Sequence, residues 1–151
     1  MVSLPILSIP IYYAIAAYPH AHAVFVYVDP RKLDNTSPNG TYNKDGIRKR
    51  LSAKDYAAWE RAERCHVNSL ENMPLFVGAI LAGMLAEQKI GVGSVGLNAF
   101  AVGGLATRAA YTVSYLTVGS SQGWSYVRSV LHNVQMLWAF VVLVRAAVAL
   151  G

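Results

Sequence analysis

Four apolar stretches, separated by polar segments, dominate the pattern of the chain. They predict helices over residues 4–28, 55–86, 93–118 and 124–150, each of the length that a membrane-spanning helix requires, about 20 residues. The segment between the first two helices, residues 29–54, is polar and rich in turn-forming Pro, Asn and Gly. The other two connections are short. The pattern therefore predicts one all-α domain over residues 1–151, built as an integral membrane four-helix bundle.

The second predicted helix is charged where it enters the apolar region. Residues 59–76 read WERAERCHVNSLENMPLF, and Arg61, Arg64, Asn68 and Glu71 follow one another at steps of three, four and three. Since a helix turns by about 100° per residue, these side chains share one face. Charged groups inside a bilayer are costly unless they face a protein interior or a wet cavity. This face therefore predicts a polar site.

Two further helices carry polar faces of the same kind. Arg108, Tyr111 and Tyr115 share a face of the third helix, and Arg128 shares a face of the fourth with His132 and Gln135, with Ser129 beside them. All three faces fall in the same half of the predicted bundle. Three such faces at one depth indicate a shared site between helices.

Composition and charge support a membrane location. Hydrophobic residues make up 54% of the chain and charged residues only 14%, whereas a typical soluble domain is about a quarter charged. Seven of the thirteen Lys and Arg residues lie between Arg31 and Lys54, which predicts that residues 29–54 form a cytoplasmic loop. The net charge of +5 is therefore explained without a nucleic-acid partner.

Three other motifs do not predict chemistry. His20 and His22 are two residues apart, so they point to different sides of a helix and do not predict a metal site. Cys65 has no evident base or third partner, so it is not expected to be a nucleophile. Residues 91–96 match G-x-G-x-x-G, but no strand precedes them, which argues against a dinucleotide site.

The residues of the three polar faces suggest the class of ligand. Arginines such as Arg64, Arg108 and Arg128 pair with carboxylates through two parallel hydrogen bonds. A lone carboxylate such as Glu71 can accept from an ammonium group. A zwitterion with more than one carboxylate would satisfy this set, and glutathione fits that description. The membrane location suggests a lipophilic second reactant that arrives from the bilayer.

The same residues carry a resemblance to a known family. Residues 61–74, RAERCHVNSLENMP, resemble the signature of the MAPEG family (membrane-associated proteins in eicosanoid and glutathione metabolism), Arg-x-His/Gln-x-Asn-x-x-Glu followed shortly by Pro. The Arg108, Tyr111 and Tyr115 pattern resembles that of the family's third helix, and Arg128-Ser129 resembles the pair that begins its fourth. The resemblance covers most of the chain and is weakest in the first helix and in residues 29–55.

The resemblance implies an assembly and a set of site residues. By this resemblance, the protein would be a homotrimer of four-helix subunits that holds glutathione, a co-substrate, between neighbouring subunits. By motif, Arg128 would be catalytic and would stabilise the glutathione thiolate, an anion that an adjacent guanidinium favours. The residues expected to bind glutathione or lie near it are Arg64, His66, Asn68, Glu71, Arg108, Tyr111, Tyr115 and Ser129.

The resemblance also implies an activity. Val67 stands where the prostaglandin-forming members carry a further arginine, so the chain is more similar to the microsomal glutathione transferases. The expected function is that of a membrane-bound glutathione S-transferase of the endoplasmic reticulum, with glutathione peroxidase activity as a further expectation. Its second substrate would be a lipophilic electrophile or a lipid hydroperoxide. The alternative is a non-catalytic protein that binds or presents lipid on the same scaffold.

Overall fold

The computed structural model describes residues 3–32, 36, 41–118 and 122–151, and within them the protein is all-helical. This confirms the predicted all-α class. A π-helical turn, Val24–Val28, extends the first helix, and a 3-10 turn, Pro30–Lys32, follows it. The five α-helices are α1 Leu4–Ala23, α2 Thr41–Arg50, α3 Ala53–Ile90, α4 Leu97–Thr117 and α5 Gln122–Leu150.

Helix α2 lies inside the polar segment that the sequence pattern predicts as a loop. Ile47, its one buried side chain among those described, packs with Ala23, Val28, Trp59 and Ala62 at the ends of α1 and α3. One buried residue among the seven of this basic helix whose side chains are described leaves no apolar periodicity to detect. The helix is therefore a product of tertiary packing, which commonly overrides local sequence preference.

Helix α3 is the longest element, and it extends at both ends beyond the predicted range of 55–86. Ser52 caps its N-terminus by accepting a hydrogen bond from the Asp55 amide at 3.1 Å. At the other end the helix continues through residues 87–89, which the polar pattern predicts as a loop. The Glu87 carboxylate is buried there and accepts a hydrogen bond from the Leu97 amide at the start of α4, at 3.2 Å.

A row of aromatic rings joins the four long helices. Helices α1 and α5 each pack against both α3 and α4, and α3 contacts α4. In the core, Tyr12 of α1 stacks on Phe76 of α3 with ring centroids 4.7 Å apart. Phe76 contacts Phe100 of α4 at 5.2 Å, and Phe100 meets the edge of Trp138 of α5 at 6.0 Å. The row fixes the helix positions from which the polar faces project.

Gly104 allows α4 to approach this row closely, which gives a first testable prediction. A Cβ atom at Gly104 would lie 2.8 Å from Cε2 of the buried Phe76, whereas one at Gly78 would meet nothing within 4 Å. Overpacking should make Gly104→Ala lower the free energy of unfolding by about 1–3 kcal/mol. Gly78→Ala should be neutral or stabilising by up to about 1 kcal/mol. Thermal unfolding in detergent measures both, and equal midpoints would contradict the packing argument.

Two of the described helices are long and apolar enough to cross a membrane. They comprise Ala53–Ile90 and Ser125–Leu150. Helices α1 and α4, of 20 and 21 residues, are not among these two. On helix α5, a set of large apolar side chains is exposed in the single chain, among them Val134, Leu137, Val141, Val144 and Val148. Such a surface suits contact with acyl chains or with another protein.

Candidate functional site

A cavity of about 440 Å³ lies where the polar faces of α3, α4 and α5 meet. Its volume is within the range of small-molecule sites. Six residues that the sequence predicts for the site line it, namely Asn68, Glu71, Tyr111, Tyr115, Arg128 and Ser129. Three more lining residues were not predicted for the site, namely Ser125, His132 and Asn133. Of these, His132 follows Arg128 by four residues on the same helix face. Ser125 and Asn133 lie four residues before and after Ser129, so the same spacing could have found them.

A hydrogen-bonded group of Asn68, Tyr111 and Tyr115 forms one wall of the cavity. Asn68 Nδ2 donates to the Tyr111 hydroxyl at 3.0 Å and lies 3.5 Å from the Tyr115 hydroxyl. The two tyrosine rings are 4.9 Å apart, and Tyr111 is buried. The contacts link α3 to α4 and fix two phenol hydroxyls at the cavity surface. Such preorganised polar groups orient a bound ligand at little entropic cost.

Arg128 supplies the positive charge of the cavity. Its guanidinium carbon lies 4.5 Å from the centroid of the Tyr115 ring, within the range of a cation–π contact. This contact fixes a side chain that would otherwise have many rotamers. The neighbouring Ser129 donates its hydroxyl hydrogen to the Ser125 carbonyl at 3.1 Å. In this arrangement the Ser129 hydroxyl hydrogen is engaged, and the hydroxyl oxygen can accept a hydrogen bond from a ligand in the cavity.

Arg108 lies behind the cavity. The residue is fully buried, and its guanidinium carbon is 4.9 Å from the ring centroid of Tyr111 and 5.3 Å from that of Tyr12. None of its three side-chain nitrogens has a hydrogen-bond acceptor in the described part of the chain. The ring of Tyr111, which lines the cavity, contacts this guanidinium. Arg108 is therefore close to the predicted site but not among the residues that line it.

Arg64 and His66, which the resemblance assigns to glutathione binding, also do not line the cavity in the single chain. Arg64 precedes Asn68 by one helical turn, about 6 Å, and its side chain is 72% exposed beside Glu60, at 3.6 Å. His66 faces α1, where Nδ1 donates to the Ala16 carbonyl at 2.8 Å. Because His66 precedes Asn68 by two residues, its side chain projects from a different side of α3. This explains why His66 faces α1 and not the cavity.

His132 is held by a residue outside the cavity. Its Nδ1 atom lies 3.1 Å from Asn72 Nδ2, and its ring centroid is 6.1 Å from that of Tyr111. Asn72 follows Glu71 in α3 and is not a lining residue. The contact therefore ties α5 to α3 directly beside Arg128, and it fixes the orientation of an imidazole at the cavity surface.

Comparison with known proteins shows the family of the chain. The sequence profile described as the MAPEG family matches residues 1–148, almost the whole chain. No curated protein and no solved structure matches. The match spans all three helices that line the cavity and includes the signature segment at residues 61–74. The chain belongs to the MAPEG family, membrane-associated proteins in eicosanoid and glutathione metabolism.

Proposed function

We propose that the protein is a glutathione S-transferase with glutathione peroxidase activity, acting on lipophilic electrophiles and lipid hydroperoxides. The observation that carries the proposal is the single cavity that unites Asn68, Glu71, Tyr111, Tyr115 and Arg128 from three helices. The proposal includes a homotrimer of four-span subunits in the endoplasmic reticulum membrane. It also places residues 29–54 in the cytoplasm, because that segment is rich in Lys and Arg.

The charges of the cavity match part of glutathione. The Glu71 carboxylate can accept from the ammonium group, and the hydroxyls of Tyr111 and Tyr115 can bond to a carboxylate or a peptide group. The tripeptide carries two carboxylates, while Arg128 is the one arginine among the lining residues. Arg64, one turn beyond the cavity and exposed, is available to a carboxylate at the rim. A site completed at a subunit interface fits this partial complement, which supports an oligomer, whereas the number of three subunits rests on the family resemblance.

The reaction follows from the placement of Arg128. A free thiol has a pKa of about 8.5, and an adjacent cation that cannot lose its proton favours the thiolate at neutral pH. In transfer, the thiolate attacks an electrophilic carbon. In peroxide reduction, it attacks the outer oxygen of the hydroperoxide, the O–O bond breaks, and the released alkoxide takes a proton to become an alcohol. The resulting sulfenic acid reacts with a second glutathione to give the disulfide and water.

A titration of the purified protein with glutathione tests this function. In detergent at neutral pH, we expect a saturable increase in the ultraviolet absorbance of the thiolate, because Arg128 stabilises the anion. S-methylglutathione, which has no ionisable thiol, serves as the control and should give no signal. The protein should also conjugate a benzyl halide to glutathione and reduce an organic hydroperoxide. Binding of lipophilic ligands with neither thiolate nor turnover would instead favour the non-catalytic lipid-binding alternative.

A further inference from the structure

His132 is part of the cavity but has no part in the thiolate chemistry described above. It lies one helical turn after Arg128 on α5 and lines the same space. Its Nδ1 atom is bound at 3.1 Å by Asn72, which lies outside the cavity. One edge of the imidazole is therefore turned toward α3 and occupied. The Nε2 edge is the one left to face the cavity.

The Asn72 amide is placed with Nδ2 toward the imidazole, and this placement indicates which ring nitrogen carries the hydrogen. An amide NH₂ group can only donate, so Nδ1 must accept with its lone pair. A neutral imidazole that accepts at Nδ1 carries its hydrogen at Nε2. With the Asn72 amide in this placement, His132 is a neutral N–H donor at the cavity surface, close to the cation that the proposed function assigns to the thiolate.

We propose that His132 donates its Nε2 hydrogen to the oxygen of the second substrate that becomes negatively charged, and that it thereby favours oxygen-bearing electrophiles. This inference rests on the proposed function. The substrate classes it identifies are hydroperoxides and conjugated carbonyl compounds. A donor fixed before reaction stabilises such an oxyanion without the cost of reorganising solvent.

The electron flow in both substrate classes ends on an oxygen. With a hydroperoxide, the S–O bond forms, the O–O bond breaks, and the electron pair moves to the inner oxygen, which His132 holds until water protonates it. With a conjugated carbonyl compound, the S–C bond forms and the electron pair moves to the carbonyl oxygen as an enolate, which water then protonates on carbon. With a benzyl halide, the electron pair leaves with the halide, so no oxygen gains charge.

Substitutions at His132 test the assignment by comparing two substrates. His132→Leu should lower kcat/KM for cumene hydroperoxide by about 10²-fold, the loss typical of one oxyanion donor, and should change kcat/KM for benzyl chloride little. His132→Gln, whose amide retains an N–H donor, should recover part of the loss. His22→Gln is the matched control, because His22 contacts Tyr18 and Tyr27 near the end of α1, away from the cavity.

The thiolate signal separates a failure of this inference from a failure of the proposed function. Absence of thiolate absorbance in the wild-type protein would overturn the glutathione transferase itself. Normal thiolate absorbance in His132→Leu, with equal losses on both substrates, would overturn only the role of His132. Loss of hydroperoxide turnover alone supports the inference.

The tautomer gives a readout that does not depend on activity. Nitrogen NMR of isotope-labelled histidine should show an Nε2–H resonance that is absent from the spectrum of His132→Leu. Asn72→Leu removes the donor to Nδ1, so the same resonance should shift toward a tautomer mixture in that variant. Finding His132 mainly as the Nδ1–H form in the wild-type protein would contradict the proposal, even if a leucine variant did not fold.

Discussion

Replacing Arg128 by leucine should lower kcat/KM for conjugation by about 10²–10³-fold, the cost of removing one preorganised charge-stabilising group. Arg128 is the cation that lines the cavity, and its contact with the Tyr115 ring fixes it there. Leucine fills similar space without charge, so the thiol of bound glutathione would lose its stabilising partner. Thiolate absorbance at neutral pH should fall together with the rate.

The pH dependence of the leucine variant distinguishes loss of charge from loss of structure. Above pH of about 8.5 a thiol ionises without assistance, so the variant should regain much of its rate as pH rises, while the wild type changes little. Arg128→Lys keeps the charge but loses the planar group that stacks on Tyr115, so its rate should be intermediate. A deficit in Arg128→Leu that is the same at every pH would contradict the thiolate role.

Replacing Arg108 by methionine should stabilise the protein. We expect the free energy of unfolding to increase by about 1–3 kcal/mol, the range for removing an unsatisfied buried polar group. The guanidinium is fully buried, and in the described part of the chain its nitrogens have no acceptor. The cation–π contacts with Tyr12 and Tyr111, each contributing about 2 kcal/mol or more when desolvated, offset part of the cost of burying the charge. Methionine keeps the volume and the aromatic contacts without the charge.

A second arginine provides the control for this substitution. Arg145 on α5 is exposed and reaches the Val95 carbonyl at 3.4 Å, so Arg145→Met should change stability by less than about 0.5 kcal/mol. Thermal unfolding in detergent measures both variants. Glutathione thiolate absorbance should persist in Arg108→Met, because Arg108 does not line the cavity and is in contact with the ring of Tyr111, which does. A strong fall in stability, or loss of the thiolate, would show that an anion reaches Arg108 in the assembled protein.

The sequence predicts the long helices well because their apolar content is independent of context. It does not predict α2, whose formation depends on Ile47 packing against residues distant in the chain. The sequence pattern also ends the second helix too early, at residue 86. Residues 87–89 are polar and are therefore predicted as a loop, because the pattern does not show that Glu87 is buried. Helix ends are therefore determined by tertiary contacts that a one-dimensional pattern does not contain.

For the site, helical periodicity predicts which residues share a face but not which neighbour that face meets. Asn68 and Glu71 reach the cavity, whereas Arg64, on the same face, is one turn too far along the axis. Arg108 shares a face with Tyr111 yet lies between aromatic rings. Asn72 follows Asn68 by four residues and so shares the polar face, but only the three-dimensional structure shows that it meets His132.

The contact between Lys89 Nζ and the Leu150 carbonyl, 3.2 Å, brings the C-terminal ends of α3 and α5 to one level. From that level, Glu71 lies 18 residues back along α3 and Arg128 lies 22 residues back along α5, or about 27 Å and 33 Å at 1.5 Å per residue. The hydrocarbon layer of a bilayer is about 30 Å thick. With that level at one face of the bilayer, the cavity would lie where acyl chains give way to headgroups, and the water-borne peptide and lipid-borne partner of the proposed function would meet there without either crossing into the other's solvent.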